Sequence, residues 1–292
     1  MEIKKYILNL KKYEPIYVIG HSKIDIDSAI SSKIFSEILN NFGIKSYYAI
    51  LEENYDFNDY NKNMLNKCTT FKPKIIKYED IKKHNYVLVD HNDPLQSVGI
   101  KAKIVGCIDH HSNCNKIKNA IITDYCSASL YMYKLFKDIY NFSKKQKFQI
   151  YMAFLNDSTF GKSSRYKKKD AELALELGFD MNFEKLFKEY FKPTNLNNGV
   201  ENAIYNGHKQ YQFGNATFES GYIEAFGIKD LEKYKEIIKN KQNFLGIWID
   251  YCTSKTYVFF NYKSKFNEWE YNFVASRATT IINDTLNIVN QK

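Results

Sequence analysis

Pro15-Ile16-Tyr17-Val18-Ile19-Gly20-His21 opens the segment that decides the fold. A short apolar run that enters a glycine and then a histidine reads as a buried strand ending in a functional loop. Apolar residues next recur at helical spacing, at Ala29, Ile30, Ile34, Phe35, Ile38 and Leu39, until Gly43 stops the pattern. Ile44 to Leu51 begins another extended stretch. Tyr86-Val87-Leu88-Val89 is a second apolar run, ending at Asp90, and Ile104-Val105-Gly106-Cys107-Ile108 is a third, ending at Asp109. Strands alternating with helices predict an α/β fold whose N-terminal sheet is mainly parallel and flanked by helices. Sheets of that kind bind ligands at the carboxyl ends of their strands. Helical patterns dominate from Ser127 to Tyr190. The polar stretch from Pro193 to Gly199 then reads as a linker. Beyond it come a helix, strand-like runs at 216–225, 244–249 and 256–262, and a last helix from about Arg277. The expected organisation is a first domain over 1–192 and a smaller C-terminal α/β domain over 200–292.

Bulk composition bounds the function. A 292-residue chain with 44% hydrophobic and 16% aromatic residues is long and apolar enough to bury real cores, which excludes a disordered chain. No apolar run approaches the roughly 18 residues of a membrane span, and the segment from Met1 to Lys12 lacks the apolar core of a secretory signal. Five cysteines (Cys68, Cys107, Cys114, Cys126, Cys252), odd in number and without a CxxC pair, fit reduced thiols and a cytoplasmic location. A net charge of +9 favours anionic partners without separating nucleic acid from pyrophosphate.

The acidic and imidazole residues say more. Each of the three apolar runs ends in metal-ligand residue types: His21-Ser22-Lys23-Ile24-Asp25-Ile26-Asp27-Ser28, Asp90-His91-Asn92-Asp93 and Asp109-His110-His111. Four of the six histidines fall in these segments, while His84 and His208 lie outside them and read as ordinary surface or core residues. In a parallel sheet the three ends converge on one edge. Desolvated carboxylates gathered there would repel one another unless divalent cations compensate them. Mixed imidazole and carboxylate donors suit Mn, Co, Zn or Fe better than Ca or Mg.

These residues resemble a known family. HSKIDIDS, at 21–28, is similar to the HxxxDxDS signature that opens the DHH phosphoesterases; DHND at 90–93 is similar to their second motif, and DHH at 109–111 to the motif that names them. LNDSTFGKSSRYKKKD, at 155–170, resembles the fourth, an aspartate (Asp157) at a helix end before a basic, hydroxyl-rich loop. The opening histidine and the DHN form most resemble family II inorganic pyrophosphatases and their exopolyphosphatase relatives. More weakly, Ala275-Ser276-Arg277 resembles the Ser-Arg-Lys signature of their second domain, and His208-Lys209-Gln210-Tyr211 stands where they carry a phosphate-binding lysine.

The resemblance implies two divalent ions, manganese first, with cobalt, magnesium or zinc as alternatives. His21, Asp25 and Asp90 would hold one, and Asp27, Asp90, His110 and Asp157 the other, with Asp90 bridging. Asp109 would orient a liganding imidazole from behind, His91 standing with it. His111 would contact phosphate or protonate the leaving group. Lys209 and Arg277, from a second domain closing over an interdomain cleft, would clamp phosphates together with Lys162 and Arg165. The implied activity is hydrolysis of phosphoanhydride bonds in pyrophosphate or short polyphosphate by a monomer or homodimer with no membrane partner.

Two features open alternatives. Ala278 follows Arg277 where the family carries lysine, so one phosphate-binding cation is missing. Lys162, Arg165, Lys167, Lys168 and Lys169 crowd the loop after Asp157, which either forms a solvated helix start or favours a longer polyanion such as polyphosphate or a short oligonucleotide. A phosphodiesterase acting on short oligonucleotides or cyclic dinucleotides is the second reading. The glycine- and histidine-rich ending of the nuclease branches is absent, which weighs against it. A non-hydrolysing regulatory protein is the third, disfavoured because every expected ligand type is present.

Overall fold

A computed structural model of the chain describes residues 3–52, 59–111, 117–214 and 216–290; Cys114 lies outside them. The chain forms two compact units, Met1–Gly161 with Arg165–Tyr190, and Lys162–Ser164 with Phe191–Lys292.

The first unit holds a six-stranded, all-parallel sheet. Its strands are β1 (Ile16–Ile19), β2 (Ser46–Leu51), β3 (Lys74–Ile76), β4 (Asn85–Val89), β5 (Lys103–Asp109) and β6 (Ala120–Ile122), in the order β3-β2-β1-β4-β5-β6. All four β1 residues are buried, as expected for a central parallel strand covered on both faces. The chain leaves β1 for β2 on one side and β4 for β5 on the other. The gap between β1 and β4 is therefore the point where strand order reverses, and ligands of such sheets sit there, beyond the strand ends.

Helices α1 (Ile3–Lys11), α2 (Ile26–Asn41), α3 (Asp59–Cys68), α4 (Ala128–Phe136), α5 (Lys144–Asp157), α6 (Lys168–Leu175) and α7 (Phe183–Tyr190) complete the unit. Helix α2 buries Ile30, Ile34, Phe35, Ile38 and Leu39, and the ring of Phe35 meets those of Tyr6 and Phe136 at 6.3 and 5.8 Å. The pattern read from the sequence is therefore the packing face.

The second unit holds a mixed sheet in the order β11-β10-β9-β8-β7. Its elements are α8 (Val200–Ala203), β7 (Lys209–Phe213), β8 (Ala216–Ala225), α9 (Leu231–Lys239), β9 (Phe244–Asp250), β10 (Lys255–Tyr262), β11 (Lys265–Tyr271) and α10 (Ile282–Asn290). Strands β8 and β9 pair in parallel and the other neighbours antiparallel. Tyr234 and Ile238 of α9 are fully buried in a cluster with Ile223, Trp248 and Phe259. The Tyr234 hydroxyl accepts from Ile247 N at 3.0 Å and donates to Gly221 O at 3.3 Å, so its one polar atom is satisfied inside the core.

The expected linker is bonded into this unit at Thr194, which donates from N to Glu224 O at 2.8 Å and accepts at Oγ1 from Glu224 N at 3.0 Å. Ser163 bridges to Val274, and Ser164 N donates to Val274 O at 3.0 Å, which explains why 162–164 belong here. No helix among the described residues is long and apolar enough to cross a membrane.

Gly20 carries a requirement that a motif alone does not show. A Cβ there would lie 1.9 Å from Ser28 Oγ in the first turn of α2. Gly20→Ala is expected to push α2 outward and to destabilise the chain by about 1–3 kcal/mol. Urea unfolding checks this, and an unchanged midpoint would show that α2 yields without cost.

Candidate metal centre

His21 follows β1, Asp90 follows β4, and Asp109 closes β5 just before His110. Asp25 caps α2, its side chain accepting from Ser28 N at 2.9 Å, and Asp27 sits in the first turn of that helix. Asp157 ends α5. His21 Nε2 lies 3.3 Å from Asp25 Oδ2 and 3.3 Å from Asp90 Oδ2. His110 Nε2 lies 2.9 Å from Asp90 Oδ1 and 3.7 Å from Asp157 Oδ2. Among the described residues the structure thus brings together three groups, within each of which the candidate ligand atoms all lie within 4.8 Å of one another: His21/Asp25/Asp90, Asp27/Asp90/His110/Asp157 and Asp90/Asp109/His110/His111, with Asp90 common to all. Asp90 has φ +59°, a region a carboxamide or carboxylate side chain tolerates and an alanine does not favour. Such strain is held only where the surroundings determine it.

The electrostatics fit a cation pair. Burial favours the neutral form of the Asp90 carboxyl, but His110 and His21 hold it well below the usual carboxylate range. Burial, then the charges of Asp27 and Asp90, push Asp157 well above that range. Its position at the carboxyl end of α5 adds the unfavourable pole of the helix. Although His110 Nε2 comes close, Asp90 Oδ1 makes no well-formed hydrogen bond, and neither does the buried Asp157 Oδ2. Buried acceptors left this way cost free energy, and a divalent ion taking oxygen and imidazole nitrogen would satisfy both.

Asp27 is held differently. Its Oδ1 accepts from Ser127 Oγ at 2.9 Å and Ser129 N at 3.0 Å, and its Oδ2 from Ala128 N at 2.6 Å. The amino end of α4 therefore stabilises a fully buried carboxylate that the amino end of α2 also favours.

Asp109 Oδ1 accepts from His111 Nδ1 at 2.8 Å and from the backbone N of His110 at 2.7 Å, so the imidazole it orients is that of His111. The reason is local: the chain turns at the end of β5, and the ring two residues on folds back over the carboxylate. Asn92 locks the pair by donating to Asp109 Oδ2 at 2.6 Å and to His111 O at 3.1 Å. Sequence reasoning assigned Asn92 no role, although it stands within DHND. His91 hydrogen-bonds Val89 O at 2.8 Å and Ser97 Oγ at 2.7 Å, so its ring ties the end of β4 to the loop that follows. Burial first, and the charge of His21, lower its pKa to about 4, leaving a neutral ring that braces that loop.

Among the basic residues, Arg165 donates from Nη2 to His110 Nδ1 and, at 3.4 Å, to His110 O. In the second unit, Lys209 opens β7. There too, the Arg277 guanidinium donates to Gly207 O and Ser220 Oγ and lies 5.0 Å from the centre of the Tyr222 ring. Lys162 belongs to the same unit. Lys167 and Lys169 both bind Asp124, the former at 2.9 Å.

Two substitutions test this centre. Asp90→Asn keeps the shape and the backbone preference of the residue, and is expected to bind fewer Mn ions per folded chain than wild type by calorimetric titration. Asn92→Ala is expected to weaken binding by about 10–100-fold through loss of the outer bracing; full stoichiometry and affinity in both variants would refute the assignment.

Comparison with known proteins agrees with these motifs. Residues 15–156 match the DHH family, N-terminal domain. A Lactobacillus gasseri protein named "Probable manganese-dependent inorganic pyrophosphatase" is 33% identical over 100 residues, 34% of this chain and 31% of the relative. The manganese-dependent inorganic pyrophosphatase of Methanothrix thermoacetophila is 33% identical over 98 residues, 33% of this chain and 30% of the relative. The chain thus spans about a third of the length of the curated relatives it matches. Among solved structures, a Methanococcus jannaschii protein assigned to the family II inorganic pyrophosphatases shares the fold, with TM-score 0.72 at 19% identity over 92% of this chain and 97% of that one. An exopolyphosphatase-related protein of Bacteroides fragilis gives TM-score 0.51 at 16% identity, over 88% and 82%. With its motifs at the edge of a parallel sheet, the stretch over 15–156 is similar to the N-terminal domain of the DHH family.

Proposed function

We propose that the chain is a metal-dependent phosphohydrolase that cleaves the phosphoanhydride bond of pyrophosphate or short-chain polyphosphate. The observation that carries this reading is the pair of ligand groups sharing Asp90 at the edge of the sheet. The names of the curated relatives support it. His21, Asp25 and Asp90 would hold one divalent ion, manganese first, and Asp27, Asp90, His110 and Asp157 a second. Bound there, such a pair supplies a water acidified towards neutrality and neutralises charge developing on the phosphoryl group.

The chain's own residues do the rest. The Asp109 carboxylate holds His111 through Nδ1, so Nε2 is the atom to meet a phosphate oxygen or protonate a leaving group. Asp27 keeps its place through the α4 backbone whether or not its oxygens also bind an ion. Arg165, in the same unit as these ligands, serves as a phosphate contact in this reading. The engagement of Lys167 and Lys169 with Asp124 leaves less positive charge on the loop than its composition suggests. That favours a short substrate over an oligonucleotide, whose binding draws on an extended basic surface.

The test is Mn-dependent phosphate release from pyrophosphate, beside tripolyphosphate and a short oligonucleotide at matched concentrations. Phosphoanhydride cleavage is expected to dominate, and His111→Ala is expected to lower turnover by about 10²–10⁴-fold. Nucleotide release exceeding phosphate release would replace this reading with the phosphodiesterase one.

A further inference from the structure

The carboxyl edge of the parallel sheet continues outward into a basic patch that lies wholly within the first unit. Thr123 N donates to Asp109 O at 3.0 Å, and Ser127, Ala128 and Ser129 bind Asp27. The segment 124–126 is therefore fixed at both ends by residues of the centre, and it carries Asp124 and Tyr125. Buried Asp170 ties this segment to the start of α6, accepting from Cys126 N at 2.9 Å and from Lys167 N at 2.8 Å. Among the described residues, three ammonium groups gather there. Lys167 binds Asp124 at 2.9 Å, and Lys169 binds the same carboxylate. Lys169 also lies 4.4 Å from the centre of the Tyr125 ring. Lys134 lies 4.7 Å from that ring and donates to its hydroxyl at 2.6 Å.

Asp124 stands among these lysines as a phosphate would. Its side chain is 67% exposed, so packing does not hold it there. Hydrogen bonds from Lys169 and then Lys167 keep its carboxyl down at about 2, so it is charged at any working pH. Exposed ion pairs are weak, and a polyanion that brings more charge can displace one. The lysines keep their places without Asp124, because the Tyr125 ring attracts Lys134 and Lys169 and Asp170 holds the backbone of Lys167. Arg165, which donates to His110 O at 3.4 Å, stands two residues before Lys167, a reach of about 7 Å at most. A row of phosphates that begins at the centre thus meets Arg165 first and Lys167 and Lys169 beyond it.

We propose that Lys134, Lys167 and Lys169 form a subsite for the distal phosphates of a linear polyphosphate, and that Asp124 is the specificity-determining residue that occupies it and so favours short substrates. This rests on the phosphohydrolase reading above and names what sets its chain length. Pyrophosphate ends before the subsite and does not compete with Asp124. Each further phosphate has to displace the carboxylate from its lysines.

The experiment uses the full chain and two readouts. Metal-free binding of pyrophosphate, a longer linear polyphosphate and a short oligonucleotide is titrated by calorimetry, and kcat and KM are measured for the same three with Mn. The variants are Asp124→Asn, Asp124→Asn with Lys169→Gln, and Glu172→Gln. The last removes one negative charge from the same helix, where Glu172 pairs with Lys168 at 3.7 Å. Release of two exposed ion pairs should tighten binding of the longer polyphosphate to Asp124→Asn by about three- to tenfold. The gain should appear in KM rather than kcat, raise the preference for the longer chain over pyrophosphate, and vanish when Lys169→Gln is added. Unchanged affinity in Asp124→Asn overturns the inference and leaves the phosphohydrolase reading standing. An equal gain in Glu172→Gln would reduce the effect to net charge, and an equal gain for the oligonucleotide would make it unselective; either overturns the inference as well. No phosphate release from any of these substrates by the wild type with Mn removes the phosphohydrolase reading, and this inference with it.

Discussion

Mutual repulsion among buried carboxylates is the constraint around which the first unit is built. Asp27 and Asp90 are almost wholly buried and Asp157 nearly so, with oxygens close enough to share one ion. Each is held by a different device. Asp27 takes backbone N–H groups from the amino end of α4, Asp90 sits between two imidazoles on a left-handed backbone, and Asp157 lies at the unfavourable pole of α5. A protein selected for stability alone would put apolar residues there, since uncompensated buried charge costs far more than packing returns. The arrangement makes physical sense as a receptor for positive charge.

The bracing around these carboxylates is as ordered as the carboxylates themselves. Gly20 lets the first turn of α2 come down onto the end of β1, which brings Asp25 and Asp27 to the edge. Asn92 clamps Asp109, and Asp109 orients His111. His91, tied to Val89 and Ser97, stiffens the loop on which Asp90 turns. These contacts contribute little to folding individually, but they set ring tautomers and carboxylate directions, on which the affinity of any ion would depend.

The C-terminal unit departs from simple alternation in ways that a sequence hides. Strands β7 and β11 lie at the two edges of its sheet and interleave polar with aromatic residues, so neither has the apolar run that marks β9. The β10–β11 hairpin turns through Lys263 and Ser264 at φ +49° and +63°, a conformation usually advertised by Asn-Gly, which is missing. Arg277 is fastened to Gly207, Ser220 and Tyr222 within its own unit, which fixes the direction of its guanidinium there.

The parallel sheet and the order of its strands along the chain can be read from the residues alone. Buried parallel strands are continuous apolar runs, and those at 16–19, 86–89 and 104–108 are β1, β4 and β5, each running directly into a charged motif. Helix α2 and its buried face were equally legible, because period and packing are the same fact. The residue types of the candidate ligands could be read for the same reason: they stand beside strand ends that topology brings together. The hydrogen-bond partners emerge in the folded chain, since these depend on ring rotation and loop path rather than on spacing. The fold gave Asp109 to His111, tied His91 to Val89 and Ser97, and seated Arg165 on His110. It also paired two lysines of the basic run with Asp124, a residue more than 40 positions away. A charge in a sequence is only a sign; what it does is settled by the nearest opposite charge in three dimensions.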